Sequence, residues 1–143
     1  IFFEYYRSLK MYITGVVIDI NTKHNIIMYA SAGHPDQIIV KNGNLHELSR
    51  TGPAIGISRT PGYEDRTINF NHKDTLFLFT DGIFEEFNPV QFEDGYNDLK
   101  TFIQKYSDTS AEETINAIKN HLEHNPLSIQ QKDDELIIGI DFV

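Results

Sequence analysis

The sequence contains no cysteine and no tryptophan, and its twelve basic residues form no cluster. Without cysteine, disulfide bonds and thiolate metal sites are excluded. The absence of cysteine does not indicate whether the protein lies in an oxidising or a reducing compartment. A formal net charge of −9 without a basic face argues against a nucleic-acid partner, because phosphate binding requires basic side chains. No apolar run reaches the about 20 residues of a membrane span, so we expect no membrane insertion by this segment.

Motifs for covalent catalysis are also missing. The sequence has no Gly-x-Ser-x-Gly motif and no phosphate-binding P-loop, and its six histidines are scattered. The chemistry that remains plausible is metal-assisted, with carboxylates as ligands and a bound water as nucleophile.

The first half of the chain has the pattern of antiparallel strands. Residues 12–31 are rich in β-branched side chains on both sides of a polar turn, which predicts a hairpin. Asn42-Gly43 lies between the apolar segments 37–40 and 45–48 and predicts a second hairpin. Two further strands are predicted, over 63–70 and 75–80.

The second half changes to helical periodicity. A short helical turn is predicted at 83–87 and longer helices over 94–106 and 110–123, the last opened by a capping box of Ser110 and Glu113. A final strand follows at 136–140. Hairpins, then helices, then one returning strand predict a layered α+β fold, and no linker divides residues 1–143, so we expect a single domain.

Carboxylates stand at the ends of two predicted strands. Asp81-Gly82 follows the buried run at 75–79, and Asp133-Asp134 precedes the run at 136–140. On neighbouring strands these carboxylates would reach one hard cation such as Mg²⁺ or Mn²⁺. The residues alone leave two alternatives open, because Asp-Gly is also a turn sequence and Asp-Asp is also common in solvated loops.

Five motifs in one order resemble a known family. They are Ala32-Gly33-His34-Pro35, Gly52-Pro53-Ala54-Ile55-Gly56, Asp74 with Phe79-Thr80-Asp81-Gly82-Ile83-Phe84-Glu85, Phe92…Gly95…Leu99, and Asp133-Asp134. Together they resemble the phosphatase domain of the stage II sporulation protein E class, within the metal-dependent PPM (PP2C-like) Ser/Thr phosphatases. The resemblance runs from about Tyr12 to Val143.

The resemblance implies a fold and a site. The fold is an antiparallel β-sandwich flanked by helices, with a dinuclear Mn²⁺/Mg²⁺ site whose bridging water attacks phosphorus. Asp81, within its Asp81-Gly82 motif, and Asp133 match metal ligands, and Asp134 is a further candidate. His34 is either a group at the edge of the site or a turn histidine. Gly33 and Gly82 are expected to serve backbone geometry, and Glu85 and Glu86 to face solvent.

The resemblance also implies partners. The expected substrate is phosphoserine or phosphothreonine on a STAS-domain anti-sigma factor antagonist, with a sensor or regulatory domain elsewhere in the parent chain. The expected location is the cytoplasm, or the cytoplasmic part of a larger, membrane-bound protein.

One departure affects the predicted activity. The family's early Gly-Asp-x-x-Asp motif, which supplies the bridging ligand, has no match here, so we expect the chain to be the C-terminal portion of the domain without its first strands. Two alternatives therefore stand: a degenerate PPM domain that acts as a binding or homodimerisation module, and an unrelated α+β interaction domain without metal, in which Asp81 and Asp133 lie far apart.

Overall fold

The structure is a computed structural model that describes residues 11–59, 62–125 and 134–143. In chain order the strands are β1 (Gly15–Asn21), β2 (Ile26–Ala32), β3 (Gln37–Lys41), β4 (Asn44–Leu48), β5 (Arg66–Asn69), β6 (Thr75–Phe79) and β7 (Ile137–Asp141). The helices are α1 (Asp81–Phe87), α2 (Phe92–Lys105) and α3 (Ala111–Glu123). Two antiparallel sheets and three helices confirm the predicted α+β class. The chain divides into two compact units, Ile1–Asp36 with Leu48–Asn71 and Gln37–Glu47 with His72–Val143.

The first unit contains a three-stranded sheet in the order β1-β2-β5. The β1–β2 hairpin confirms the prediction for residues 12–31, although the strand starts at Gly15. Along β2, Ile27 and Tyr29 are buried, whereas Met28 between them is 43% exposed. This alternation gives the sheet one buried and one exposed face, as the period of a strand requires.

The loops of the first unit are joined to the sheet by backbone pairing. Ile13 pairs with Ile55, Gly15 with Gly33, and Ala32 with Gly52. Gly33 has φ +61°, and a Cβ at this position would approach the backbone nitrogen of Ala54 to 2.6 Å. The expectation that Gly33 serves backbone geometry is therefore confirmed.

The second unit contains a four-stranded sheet in the order β4-β3-β6-β7. Asn42 and Gly43 both have positive φ, 50° and 76°, as expected for the primed turn of a two-residue hairpin. This confirms the second predicted hairpin. The central strands β3 and β6 are buried over most of their length, which explains their unbroken apolar sequence.

The core of the second unit lies between this sheet and the three helices. Its buried apolar side chains are Ile38, Val40, Phe77 and Phe79 of the sheet, Ile83, Phe84 and Phe87 of α1, Leu99 and Ile103 of α2, and Ala111, Ile118 and Leu122 of α3. The Phe84 ring meets the Phe79 ring edge-to-face at 6.3 Å. Burial of so much aromatic area fixes α1 on the end of β6.

Helix α3 begins at two anchors. The predicted capping box is present, because the Ser110 side chain accepts from the Glu113 N–H and the Glu113 side chain accepts from the Ser110 N–H. The Asp141 carboxylate, at the end of β7, also accepts from the Ala111 N–H at 3.0 Å and from the Thr75 hydroxyl at 2.8 Å. Strands β6 and β7 therefore position this helix. No helix within the described residues is both long and apolar enough to cross a bilayer.

Candidate metal site

The candidate site starts where β6 ends. Thr80 has extended dihedrals (φ −85°, ψ 163°) and stands at the N-cap of α1, so Asp81 is the first helical residue. The Thr80 side chain makes no capping bond, which leaves it available for other partners. Asp81 is exposed at the N-terminal turn of the helix, where the exposed N–H groups favour a negative side chain.

Thr80 connects the end of β6 to the chain that enters β7. Its N–H donates to the Leu136 carbonyl at 3.0 Å. Its hydroxyl donates to the Asp134 carbonyl and accepts from the Leu136 N–H, each at 3.0 Å. We call these three hydrogen bonds the Thr80 bridge. Because of this bridge, Asp81 and Asp134 lie at the same end of the neighbouring antiparallel strands β6 and β7.

The carboxylates of Asp81 and Asp134 are suitable ligands for a hard cation, but they are too few to hold one alone. Carboxylate oxygens are the ligands that Mg²⁺ and Mn²⁺ prefer, and both Asp81 and Asp134 are exposed. Asp133, the other predicted ligand, lies outside the described residues. Within the described residues, no three His, Asp or Glu side chains are grouped closely enough to hold a metal ion. The described carboxylates therefore supply only part of a coordination shell.

One prediction about α1 was wrong and another was wrong in part. Gly82 was expected to serve positive φ or close approach, but it is a buried helical residue outside the described glycines with positive φ, which are Gly33, Gly43 and Gly56. Close approach at Gly82 stays a prediction. Glu86 was expected to face solvent, yet it is only 5% exposed. Its carbonyl accepts from the Asn125 side-chain amide at 2.7 Å. Helix α1 starts immediately after β6, so the face of α1 that packs on the core includes Gly82 and Glu86.

Gln37 supports the site but was not predicted. This glutamine is 1% exposed at the start of β3, and its side chain hydrogen-bonds both backbone groups of Phe79. The Phe79 N–H donates to Oε1 at 2.7 Å, and Nε2 donates to the Phe79 carbonyl at 3.3 Å. The amide thus satisfies the last residue of β6, which lies directly before Thr80 and Asp81.

Replacing Gln37 by Leu is expected to destabilise the fold by about 1–3 kcal/mol, because both Phe79 groups would be buried without these partners. Gln104→Leu is the matched control. Gln104 makes the same pair of bonds, to the Leu45 N–H and the Gly43 carbonyl, but at an exposed position where water can replace it. Urea unfolding measures the free energy of unfolding of both variants. Equal decreases in the two variants would show that the hydrogen bonds to Phe79 stabilise the fold no more than those of the exposed Gln104.

His34 lies in the first unit and occupies the predicted tight turn after Gly33. Its Nδ1 is 3.3 Å from the Thr14 hydroxyl oxygen, and its carbonyl accepts from the Ser31 hydroxyl at 3.5 Å. These local bonds explain the turn. A role for His34 in chemistry stays a prediction.

Two antiparallel sheets with three helices, and acidic residues at the end of one sheet, are the arrangement of a PP2C-like phosphatase domain. The phosphatase domain of the cell fate determinant SpoIIE from Bacillus subtilis, Mn presoaked, superposes with a TM-score of 0.65 at 17% identity. The match covers 90% of this chain and 56% of that chain. The chain belongs to the stage II sporulation protein E (SpoIIE) family, whose model matches residues 3–143.

Two curated relatives come from Bacillus subtilis (strain 168). The chain is 23% identical to phosphoserine phosphatase RsbP over 140 residues, which is 97% of this chain and 33% of RsbP. It is 28% identical to phosphoserine phosphatase RsbU over 118 residues, which is 79% of this chain and 34% of RsbU. The chain therefore spans about one third of the length of these relatives.

Proposed function

We propose that residues 1–143 are the C-terminal portion of one PPM-type domain in a metal-dependent protein serine/threonine phosphatase. Family membership and the activity named for RsbP and RsbU support this proposal. The observation that carries it is the Thr80 bridge, because it keeps Asp81 and Asp134 at one edge of the sheet although 53 positions separate them.

In the intact enzyme, Asp81 and Asp133 would hold one Mn²⁺ or Mg²⁺, and Asp134 would stand beside them. A carboxylate from another part of the parent protein would complete the ligand set, which would then hold a second ion. The bound ions would supply a water of lowered pKa and screen the charge of the phosphoryl group. The residues of this chain hold the donors in place: Gln37 anchors the end of β6, and Thr80 anchors the entrance to β7.

The proposed substrate is phosphoserine or phosphothreonine on a STAS-domain anti-sigma factor antagonist, dephosphorylated in the cytoplasm under control of a regulatory domain in the parent protein. Membership of the family and the phosphoserine phosphatase activity named for RsbP and RsbU support the phosphoserine part of this proposal. The acidic character of the chain is consistent with it, since a phosphoryl group would then be bound through a cation.

The test is metal-dependent hydrolysis of p-nitrophenyl phosphate by the parent protein. We expect activity with Mn²⁺, loss of it after EDTA, and recovery when Mn²⁺ is added back. The alternative is a degenerate binding module, which is favoured by the lack of a three-ligand group within the described residues. A folded parent protein that shows no metal-dependent activity would support that alternative and exclude the enzyme.

A further inference from the structure

Thr80 is the residue at which β6 passes into α1. Phe79 and Ile137 form the last pair of the β6–β7 ladder, so Thr80 and Leu136 would form the next one. In an antiparallel ladder, the residues of a hydrogen-bonded pair exchange two bonds, each N–H donating to the carbonyl of the other. The Thr80 N–H makes its bond of this exchange, to the Leu136 carbonyl at 3.0 Å. The second bond of the pair departs from the regular pattern.

The carbonyl of Thr80 belongs to the helix and not to the ladder. It accepts from the Ile83 N–H at 3.3 Å, in the first turn of α1. The Leu136 N–H donates instead to the Thr80 hydroxyl at 3.0 Å. The same hydroxyl donates to the Asp134 carbonyl at 3.0 Å, two residues further from the strand. The hydroxyl therefore takes the place of a carbonyl in the ladder and extends the pairing to Asp134.

This arrangement requires one kind of side chain at position 80. A single atom close to the backbone must accept one hydrogen bond and donate another, which a hydroxyl does and the side chain of valine or alanine cannot. The Thr80 hydroxyl makes no capping bond, so the start of α1 does not depend on it. The extended backbone at this position (φ −85°, ψ 163°) suits a β-branched side chain. Valine would therefore keep the shape of threonine and remove only the two hydrogen bonds.

We propose that Thr80 is a positioning residue, whose hydroxyl holds the segment before β7 next to the helix start that carries Asp81. Asp134 lies on this segment, and Asp133 precedes it in the sequence. Without the hydroxyl, water can bond to the two backbone groups but cannot hold the segment at one distance from Asp81. Loss of a group that orients metal ligands typically weakens metal binding by about 10–100-fold. The inference rests on the proposed function, because it takes Asp81 and Asp133 to bind one cation.

The first test needs no metal. Hydrogen exchange at the Leu136 amide is followed by mass spectrometry in the parent protein with EDTA. We expect this amide to exchange about threefold to tenfold faster in Thr80→Val, which lacks its acceptor, and within about twofold of the parent in Thr80→Ser, which restores it. Thr109→Val is the matched control, because the Thr109 hydroxyl donates to the Tyr106 carbonyl at 2.9 Å, between α2 and α3. We expect this variant to leave Leu136 exchange unchanged.

The second test is the affinity of the same proteins for Mn²⁺, measured by electron paramagnetic resonance titration. We expect Thr80→Val to bind Mn²⁺ about tenfold more weakly or worse, and Thr80→Ser and Thr109→Val to stay within about twofold of the parent. Urea unfolding is measured in parallel. If Thr80→Val lowered the free energy of unfolding and left the Mn²⁺ affinity of the folded protein unchanged, Thr80 would be a structural residue only, and the proposal would be overturned.

Two further results would overturn the proposal: equal Leu136 exchange in Thr80→Val and Thr109→Val, or Mn²⁺ binding that Thr80→Ser fails to restore. Failure of the proposed function gives a different result, since it is seen before any substitution is made. An unmodified parent protein that binds no Mn²⁺ would overturn the proposed function and this inference together.

Discussion

Replacing Asp81 by Asn is expected to lower Mn²⁺-dependent hydrolysis of p-nitrophenyl phosphate by the parent protein by about tenfold or more, because even indirect changes to a metal site cost 10–100-fold. An amide has the shape of the carboxylate but lacks its charge, so it is a poorer ligand for a hard cation. The fold should survive, since the Thr80 bridge uses only the backbone and hydroxyl of Thr80 and not the Asp81 side chain.

Asp94→Asn is the control for this prediction. Asp94 is an exposed carboxylate of α2, so the change removes the same charge from a different helix. We expect it to retain activity within twofold. Equal activity of the Asp81→Asn and Asp94→Asn variants would mean that Asp81 is a helix-start residue and holds no metal. Far-ultraviolet circular dichroism of both variants excludes unfolding as the cause of any loss.

Replacing Gly95 by Ala is expected to destabilise the second unit by about 3 kcal/mol, the upper end of ordinary overpacking costs. A Cβ at Gly95 would overlap the Phe84 carbonyl oxygen and lie 3.3 Å from the Asn88 nitrogen. Backbone atoms cannot move aside by changing rotamer, so α1 and α2 would have to separate. Because Asp81 is the first residue of α1, metal-dependent activity should fall as well.

The matched control is the same substitution at Gly15, where a Cβ meets no atom within 4 Å. Gly15→Ala is expected to change the free energy of unfolding by less than about 0.5 kcal/mol. Urea unfolding of both variants measures this difference. If Gly95→Ala were as stable as Gly15→Ala, the close approach of α1 and α2 would not be required by the fold.

Features set by neighbouring residues were predictable from the sequence. Asn42-Gly43 specifies its hairpin because both central residues of a primed turn need positive φ, which these two residue types adopt readily. Ser110 and Glu113 specify the start of α3 because each satisfies a backbone N–H of the other. The places of Asp81 after β6 and of Asp134 before β7 were predicted in the same way, because the apolar runs next to them mark the two strands.

Features set by distant residues were not predictable in this way. Gln37 binds the Phe79 backbone across 42 positions, and Asp141 binds the Ala111 N–H across 30 positions. In the sequence, Gln37 is a polar residue before an apolar run, and Asp141 is an acidic residue after an apolar run. Both therefore resemble the solvated ends of strands. The burial of Glu86 was missed for a related reason, because the packing of α1 on β6 determines which of its residues face the core.

We propose that the carboxylates at the end of β6 and the entrance to β7 hold a divalent cation. Electron paramagnetic resonance titration counts the Mn²⁺ ions bound by the parent protein and by its Asp81→Asn and Asp133→Asn variants. We expect each variant to lose at least one of the ions bound by the parent, while Asp94→Asn loses none. Unchanged Mn²⁺ binding in both variants would contradict it.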